Sequence, residues 1–269
     1  MKTLWCSWLG MAVLVTGSVS CSKTPDSTGK AGDGAAKTAA KSEDKSLKLA
    51  DAPADSPATP ATAANSETPP VESTSEKPDS DGWYTLFNGK DFEDWKKSTD
   101  NPDTFKIVNG EIVANGPACH LYYNGPVGNH DFKNFEWSCE VMTKPNANSG
   151  MYFHTKYQEN GFPKNGIECQ VNNTHRDPIK TGSLYKVANI MNDSPAKDDE
   201  WFTQTIIVNG QHVIVKVNGK VVNDHTEPEH PQREEGWENN VLSSGTFALQ
   251  GHDPNSEVHY RNIKVKPLP

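Results

Sequence analysis

From Gly82 to the C-terminus, apolar and polar residues alternate in short runs separated by Asn-Gly, Gly-Pro and Asp/Asn clusters, and no long stretch has a helical period. Many short strands with turn signals between them predict an all-β sandwich or barrel. The clearest part is a three-strand meander, in which Thr203 to Val208 and Gln211 to Val217 flank Asn209-Gly210 and Asn218-Gly219 leads on to Lys220 through Asn223. Both dipeptides are favoured two-residue hairpin turns. Centring the first turn on Asn209-Gly210 sets Val208 opposite Gln211 and Ile206 opposite Val213. Ile206, Val208, Val213, Val215, Val217 and Val222 then share one core face.

Four further runs divide in the same way. From Phe135 to Met142, one face carries Phe135, Trp137, Cys139 and Val141, and the other carries Glu136 and Glu140, which read as solvated. From Asn165 to Val171, Ile167, Cys169 and Val171 point one way while Glu168 and Gln170 point the other. Placing Met151 and Phe153 inward in Ser149 to Thr155 turns Tyr152 and His154 outward. Placing Phe247 and Leu249 inward in Thr246 to His252 turns Gln250 and His252 outward. If those outward faces belong to one sheet, His154, Glu168, Gln170, Gln250 and His252 converge on one surface.

Composition narrows where this pattern applies. Every Trp, Tyr and Phe except Trp5 and Trp8 lies at or beyond Trp83, which places the single folded domain at residues 81–269. Residues 22–80 are Ala, Ser, Thr, Pro, Asp, Glu and Lys, too poor in apolar surface to offset the entropy of ordering, and read as a disordered tether. Residues 1–21 carry Lys2 and an apolar run from Leu4 through Val15, too short for a lasting membrane span, and read as a secretory signal. Ser18-Val19-Ser20-Cys21 resembles a bacterial lipoprotein cleavage box, with Cys21 as the acylated residue, although Ser18 stands where Leu is usual. The expected location is the cell envelope of a bacterium, periplasmic or on the cell surface, with a lipid at Cys21 as membrane anchor. Cys119, Cys139 and Cys169 remain, an odd number that excludes a dense disulfide framework; Cys139 and Cys169 on apolar faces suit buried free thiols. A net charge of −9 with no Lys/Arg cluster offers nucleic acid no electrostatic footing.

The outward groups suit polar work on a carbohydrate. A carboxylate and imidazoles can move protons, amides can recognise hydroxyls, and Tyr152 and Tyr185 can stack on a sugar face. Glu168, His154 and His252 could also hold a divalent metal, but no close-spaced ligand motif supports one. Arg261, in Tyr260 to Ile263, could clamp a substrate oxygen or pair with a carboxylate to lock the last strand. The chain has no phosphate loop, no Gly-x-Ser-x-Gly elbow, and no second strand carboxylate beside Glu168 of the kind that ordinary glycosidases use.

Taken together, these segments resemble the 3-keto-disaccharide hydrolase domain family. The resemblance runs from Gly82 to Leu268: Gly82 to Phe92 with Trp95, Asp131 to Glu136, Asn148 to Phe153, Gly166 to Gln170, Thr181 to Tyr185, Glu200-Trp201, Leu249 to His252 and Tyr260 to Ile263. It implies a concanavalin A-like jelly roll of two antiparallel sheets, with substrate on the concave sheet. It also implies action on glycosides oxidised at C3 of a glucosyl unit, where the ketone acidifies the C2 proton and elimination can replace the usual carboxylate pair. On that reading Glu168 or His252 is the base, and Gln170, His154 and Arg261 bind or polarise the ketone. Many relatives carry Arg where this chain has His154. The alternatives are a non-catalytic carbohydrate-binding module on the same sandwich and a structural envelope protein, since fold does not fix function.

Overall fold

The computed structural model describes residues 77–269. The signal-type segment, Cys21 and nearly all of the expected tether lie outside the described residues. Within them, alternation dictates the strands. In β6 (Phe135–Thr143) every second residue from Phe135 is buried and those between are half-buried.

The strands form two antiparallel sheets of eight and five strands. The larger runs in the order β11 (Lys220–Thr226), β10 (His212–Val217), β9 (Phe202–Asn209), β6, β13 (Glu257–Pro267), β4 (Glu111–Asn115), β3 (Phe105–Val108), with β1 (Tyr84–Thr85) added to β13. The smaller runs β2 (Trp95–Lys97), β5 (Cys119–Tyr123), β12 (Thr246–Gly251), β7 (Ser149–Thr155), β8 (Ile167–Val171). The sequence expectation of an all-β sandwich of two antiparallel sheets is met.

The sheets meet through their apolar faces. Phe247 of β12 stacks on Trp137 of β6, with centroids 4.3 Å apart and planes at 17°, and on Phe132 at 4.5 Å, while Phe135 meets it edge-on at 4.9 Å. Each such ring contact adds about 0.5–1.5 kcal/mol beyond area burial. Cys119, Cys139 and Cys169 are all buried free thiols.

The meander differs from expectation in one detail. Val208 pairs with Val213 and Asn209 with His212, so the first turn is Gly210-Gln211 rather than Asn209-Gly210. Gly210 alone has a positive φ, +61°, the form of a hairpin turn with glycine at its first central position. The partner shifts by two residues, and because side chains alternate with period two the core face is unchanged. At Asn218-Gly219 both residues have positive φ, as expected for the other favoured turn.

The smaller sheet is buried on both sides. All residues of β5, β7, β8 and β12 are buried, although only one face of each meets the core. Loops cover the other face and enclose a cavity against it.

Candidate active site

Glu168 is the second residue of β8. Its neighbours Ile167 and Cys169 enter the core, which turns the carboxylate to the opposite face. Tyr152, its register partner on β7, donates its hydroxyl to Oε2 at 2.8 Å, and Gln250 of β12 donates through Nε2 to Oε1 at 3.2 Å. The same Gln250 amide donates to the Tyr152 hydroxyl at 2.9 Å, so three adjacent strands contribute to one network. Turned so that its nitrogen faces acceptors, the Gln170 amide donates to Glu168 Oε1 at 2.9 Å and to the Ser149 carbonyl at 3.1 Å. Gly150 makes room: a Cβ there would stand 2.2 Å from Glu168 Oε1.

Two effects compete at this carboxyl. Burial favours the neutral acid, while the Tyr152 and Gln250 donors favour the anion. Burial wins and raises the Glu168 pKa to about 8.

The cavity beside Glu168 has a volume of about 540 Å³. That lies in the ~300–1,000 Å³ range of small-molecule sites. Tyr152, Gln170, Gln250, Asn148 and His252 line it on the sheet side. Opposite stand Tyr185 and Trp237, whose ring centroids are 5.4 Å apart, and Phe162. Tyr185 is placed by backbone pairing: residues 182–185 run along the outer edge of β8, with the Gln170 amide on the Ser183 carbonyl and the Tyr185 amide on the Glu168 carbonyl, both at 2.9 Å. Its hydroxyl donates to Asp177 Oδ2 at 3.2 Å.

His252 lies just past the end of β12 with its side chain about a third exposed. Its Nδ1 meets Asp253 Oδ2 at 2.8 Å, and the Ser256 hydroxyl donates to the same oxygen at 2.7 Å. A carboxylate on Nδ1 fixes the tautomer and leaves Nε2 to exchange a proton.

The structure thus brings Glu168, Gln170, Gln250, Tyr152, Tyr185 and His252 to one cavity, and places two expected partners elsewhere. His154 was expected to face outward with Tyr152. Three residues of β12, Thr246 to Ala248, span four of β7, Tyr152 to Thr155, and His154 takes up the extra residue with φ +55°. It is 1 % exposed; Nδ1 accepts from the Ser243 amide at 3.0 Å, which leaves Nε2–H to donate to the Lys133 carbonyl at 2.9 Å. Burial lowers its pKa to about 4, so it is a neutral clamp between two loops. Arg261 belongs to the larger sheet. Its Nε bonds Glu140 Oε2 at 2.8 Å and its guanidinium lies 3.9 Å from the Trp201 ring centroid, the strand-locking role rather than the substrate clamp. With His154 displaced, the metal set Glu168, His154 and His252 does not assemble. Among the described residues no group of three or more His, Cys, Asp or Glu is arranged to hold a metal ion.

Sequence reasoning missed Asn148, Trp237 and Asp253. Trp237 sits in the 227–245 connection, where no periodicity marks a facing residue. Asp253 follows His252 directly, and that adjacency of imidazole and carboxylate was the readable signal.

A family model described as a 3-keto-alpha-glucoside-1,2-lyase-like domain matches residues 82–266. The chain belongs to this family. Membership in the 3-keto-alpha-glucoside-1,2-lyase-like family identifies a carbohydrate-active, hydrolase-like module. A 3-keto-disaccharide hydrolase of Bacteroides thetaiotaomicron is 33 % identical over 81 residues, which span 28 % of this chain and 28 % of that protein. Two crystal structures from Parabacteroides distasonis, each described as a "putative glycosyl hydrolase", share the fold. One has a TM-score of 0.57 at 22 % identity and covers 70 % of this chain and 95 % of its own; the other has 0.53 at 23 %, covering 69 % and 99 %.

Proposed function

We propose that the domain cleaves glycosides and disaccharides whose glucosyl unit carries a ketone at C3, by elimination followed by hydration. The observation that carries this reading is a buried carboxyl of raised pKa, held by Tyr152 and Gln250 against a cavity walled by amides and aromatic rings. Such a carboxylate, once ionised, is a stronger base than an exposed one, which suits removal of a carbon-bound proton.

In the first step Glu168 takes the C2 proton, and the C2–H electrons form the C2=C3 enolate, whose oxygen receives N–H donors from the cavity amides. The enolate then reforms the ketone, C1=C2 forms, and the C1–O bond breaks. The departing oxygen takes a proton from the His252 imidazolium, which Asp253 stabilises. Water adds at C1 as His252 accepts its proton, and Glu168 returns a proton to C2. The net reaction is hydrolysis, with one carboxyl serving twice.

The test is turnover of 3-keto-trehalose or 3-keto-lactose in deuterium oxide. Elimination places deuterium at C2 of the released 3-keto-glucose to the extent that the proton held by Glu168 exchanges with solvent before it is returned, and with C2 deprotonation limiting the rate kcat/KM rises with pH towards about 8 as Glu168 ionises. Saccharide binding without turnover would sink the proposal and leave a binding module.

We also place this chemistry in the bacterial cell envelope, supported by the apolar run before Cys21 and the Ser18 to Cys21 box. Mass spectrometry of protein from the native host is expected to find Cys21 as an acylated N-terminus. An unmodified Cys21 within a longer chain would refute the anchor.

A further inference from the structure

His120 takes no part in the network described above, yet it faces the same side of the smaller sheet. It pairs in register with Gln250 across β5 and β12. Its side chain is buried, at 1 % exposure, and neither ring nitrogen has a hydrogen-bond partner; the Gln250 Oε1 beside it is buried and unpartnered as well. Two neighbouring polar side chains on one face, both buried and without a partner in the protein, form a costly arrangement that a hydroxyl placed between them would relieve. Burial lowers the His120 pKa to about 3, so the ring is neutral and offers one donor and one acceptor. That pairing matches a sugar hydroxyl better than a carboxylate or an ammonium.

The surroundings of His120 are aromatic. Tyr122 and Tyr152 flank the small side chain of Ala248, their register partner on β12, and form an aromatic floor on which Tyr157 of the β7–β8 connection packs, 5.3 Å from the Tyr122 ring. Aromatic floors of this kind accept the apolar face of a sugar. The floor adjoins the cavity directly, because Tyr152, Gln250 and Phe162 border both.

What covers it is one loop. The β7–β8 connection, residues 156–166, lays Phe162 against the His120 ring at 5.3 Å and the His252 ring at 6.0 Å, yet Phe162 itself is 48 % exposed. The loop is folded on itself around the Gln158 amide, which bonds the carbonyls of Asn160 and Phe162, each at 2.7 Å, and the Lys164 amide at 3.0 Å. It is tied on the β2 side through the Thr99 amide on the Glu159 carbonyl, the Gly161 amide on the Asp100 carboxylate, the Tyr157 hydroxyl on the Lys97 carbonyl and Lys96 Nζ over the Tyr157 ring, and at its far end through the Gly166 amide on the Asn239 carbonyl at 3.3 Å. None of these ties belongs to a strand ladder, so the loop can lift as a unit by giving up loop and side-chain contacts alone.

We propose that His120, Tyr122 and Gln250 form a second saccharide subsite beneath Phe162, which takes the leaving sugar ring when the 156–166 loop lifts. Only the word "leaving" rests on the activity proposed above; the subsite itself is a claim about binding. It adds a sugar-length extension to the cavity and makes disaccharides the preferred class over simple glucosides.

The experiment therefore uses unoxidised sugars and the full chain, so that it can succeed where turnover fails and fail where turnover succeeds. Calorimetric titration with trehalose, maltose and glucose is expected to show a disaccharide binding at least about tenfold more tightly than glucose. His120→Phe, which fills the space without a polar atom, should reduce that ratio to about twofold or less, while His120→Gln, which keeps a donor and an acceptor, should hold most of it. A merely structural His120 would change the melting temperature of His120→Phe and leave the ratio intact, which would overturn the subsite. As a second measurement on the unaltered protein, the imidazole resonances of His120 should shift on saturation with the disaccharide but not with glucose. Unmoved resonances at saturation would overturn the proposal even if neither variant folds.

Discussion

Glu168→Gln is expected to lower turnover of a 3-keto-glycoside by about 10²–10⁴-fold, the range that a positioned general base supplies, and at the same time to stabilise the fold. The second effect follows from linkage. Burial holds the Glu168 pKa near 8 in the folded chain, against 4.5 for an exposed glutamate. Between those values the folded state keeps a proton that the unfolded state releases, so the wild-type protein loses stability as pH rises from about 4.5 to about 8 and is level beyond. The neutral amide is free of that loss. It can keep the Tyr152 hydrogen bond, and Gln250 can rotate its unpartnered Oε1 towards it. The melting temperature of Glu168→Gln should therefore match the wild type near pH 4 and exceed it at pH 8, by up to roughly 3–5 kcal/mol of stability. Equal turnover would remove Glu168 from the chemistry. A stability gap that does not grow with pH would show that the carboxylate is solvated.

Arg233→Ala should do the largest structural damage at the site. Glu227 and Arg233 form an ion pair whose side chains are 5 % and 6 % exposed, and it closes the base of the loop that carries Trp237. Glu227 Oε1 also accepts the Leu242 amide at 3.0 Å, and Arg233 Nε donates to the Asn240 carbonyl at 2.8 Å, so one pair holds both arms of the loop. Removing the cation leaves a buried carboxylate with only the Leu242 amide and His225 Nε2, 3.5 Å from Oε2, beside it, which costs up to about 3–5 kcal/mol. The loop can escape part of that cost by opening. Hydrogen exchange should then accelerate at Leu242 and Ser243 well before the sheets lose protection, and saccharide affinity should fall with the loss of Trp237 from the wall. A loss below about 1 kcal/mol, with exchange unchanged, would mean that the loop is held by something else.

The sandwich was legible because alternation survives wherever one face meets the core and the other meets solvent, as in β6, β9 and β10. The meander tolerated a misplaced turn, since a slip of two residues returns every side chain to its own face. Legibility failed where that contrast is missing. Cys119 to Tyr123 gives no alternating signal because β5 is buried on both sides, and His120 was overlooked with it. His154 was assigned to the wrong face because a single extra residue in β7 breaks the parity, and nothing in Ser149 to Thr155 announces it. The site was partly visible for the complementary reason: Glu168, Gln170 and Gln250 are polar residues at positions whose neighbours are unmistakably apolar. The wall opposite them comes from loops, whose sequences carry no period to read.

The position of β13 has a consequence for how the chain is made. Among the described strands β13 comes latest in the sequence, yet it lies between β6 and β4, in the middle of the larger sheet, and also receives β1. Until the ribosome has released residues 257–267, two halves of that sheet wait with unpaired edges on either side of a gap. Assembly must then join segments more than a hundred residues apart in one late step, which makes it slow and leaves the waiting edges open to other chains. Deleting residues 257–267 would take away the keystone rather than trim a margin.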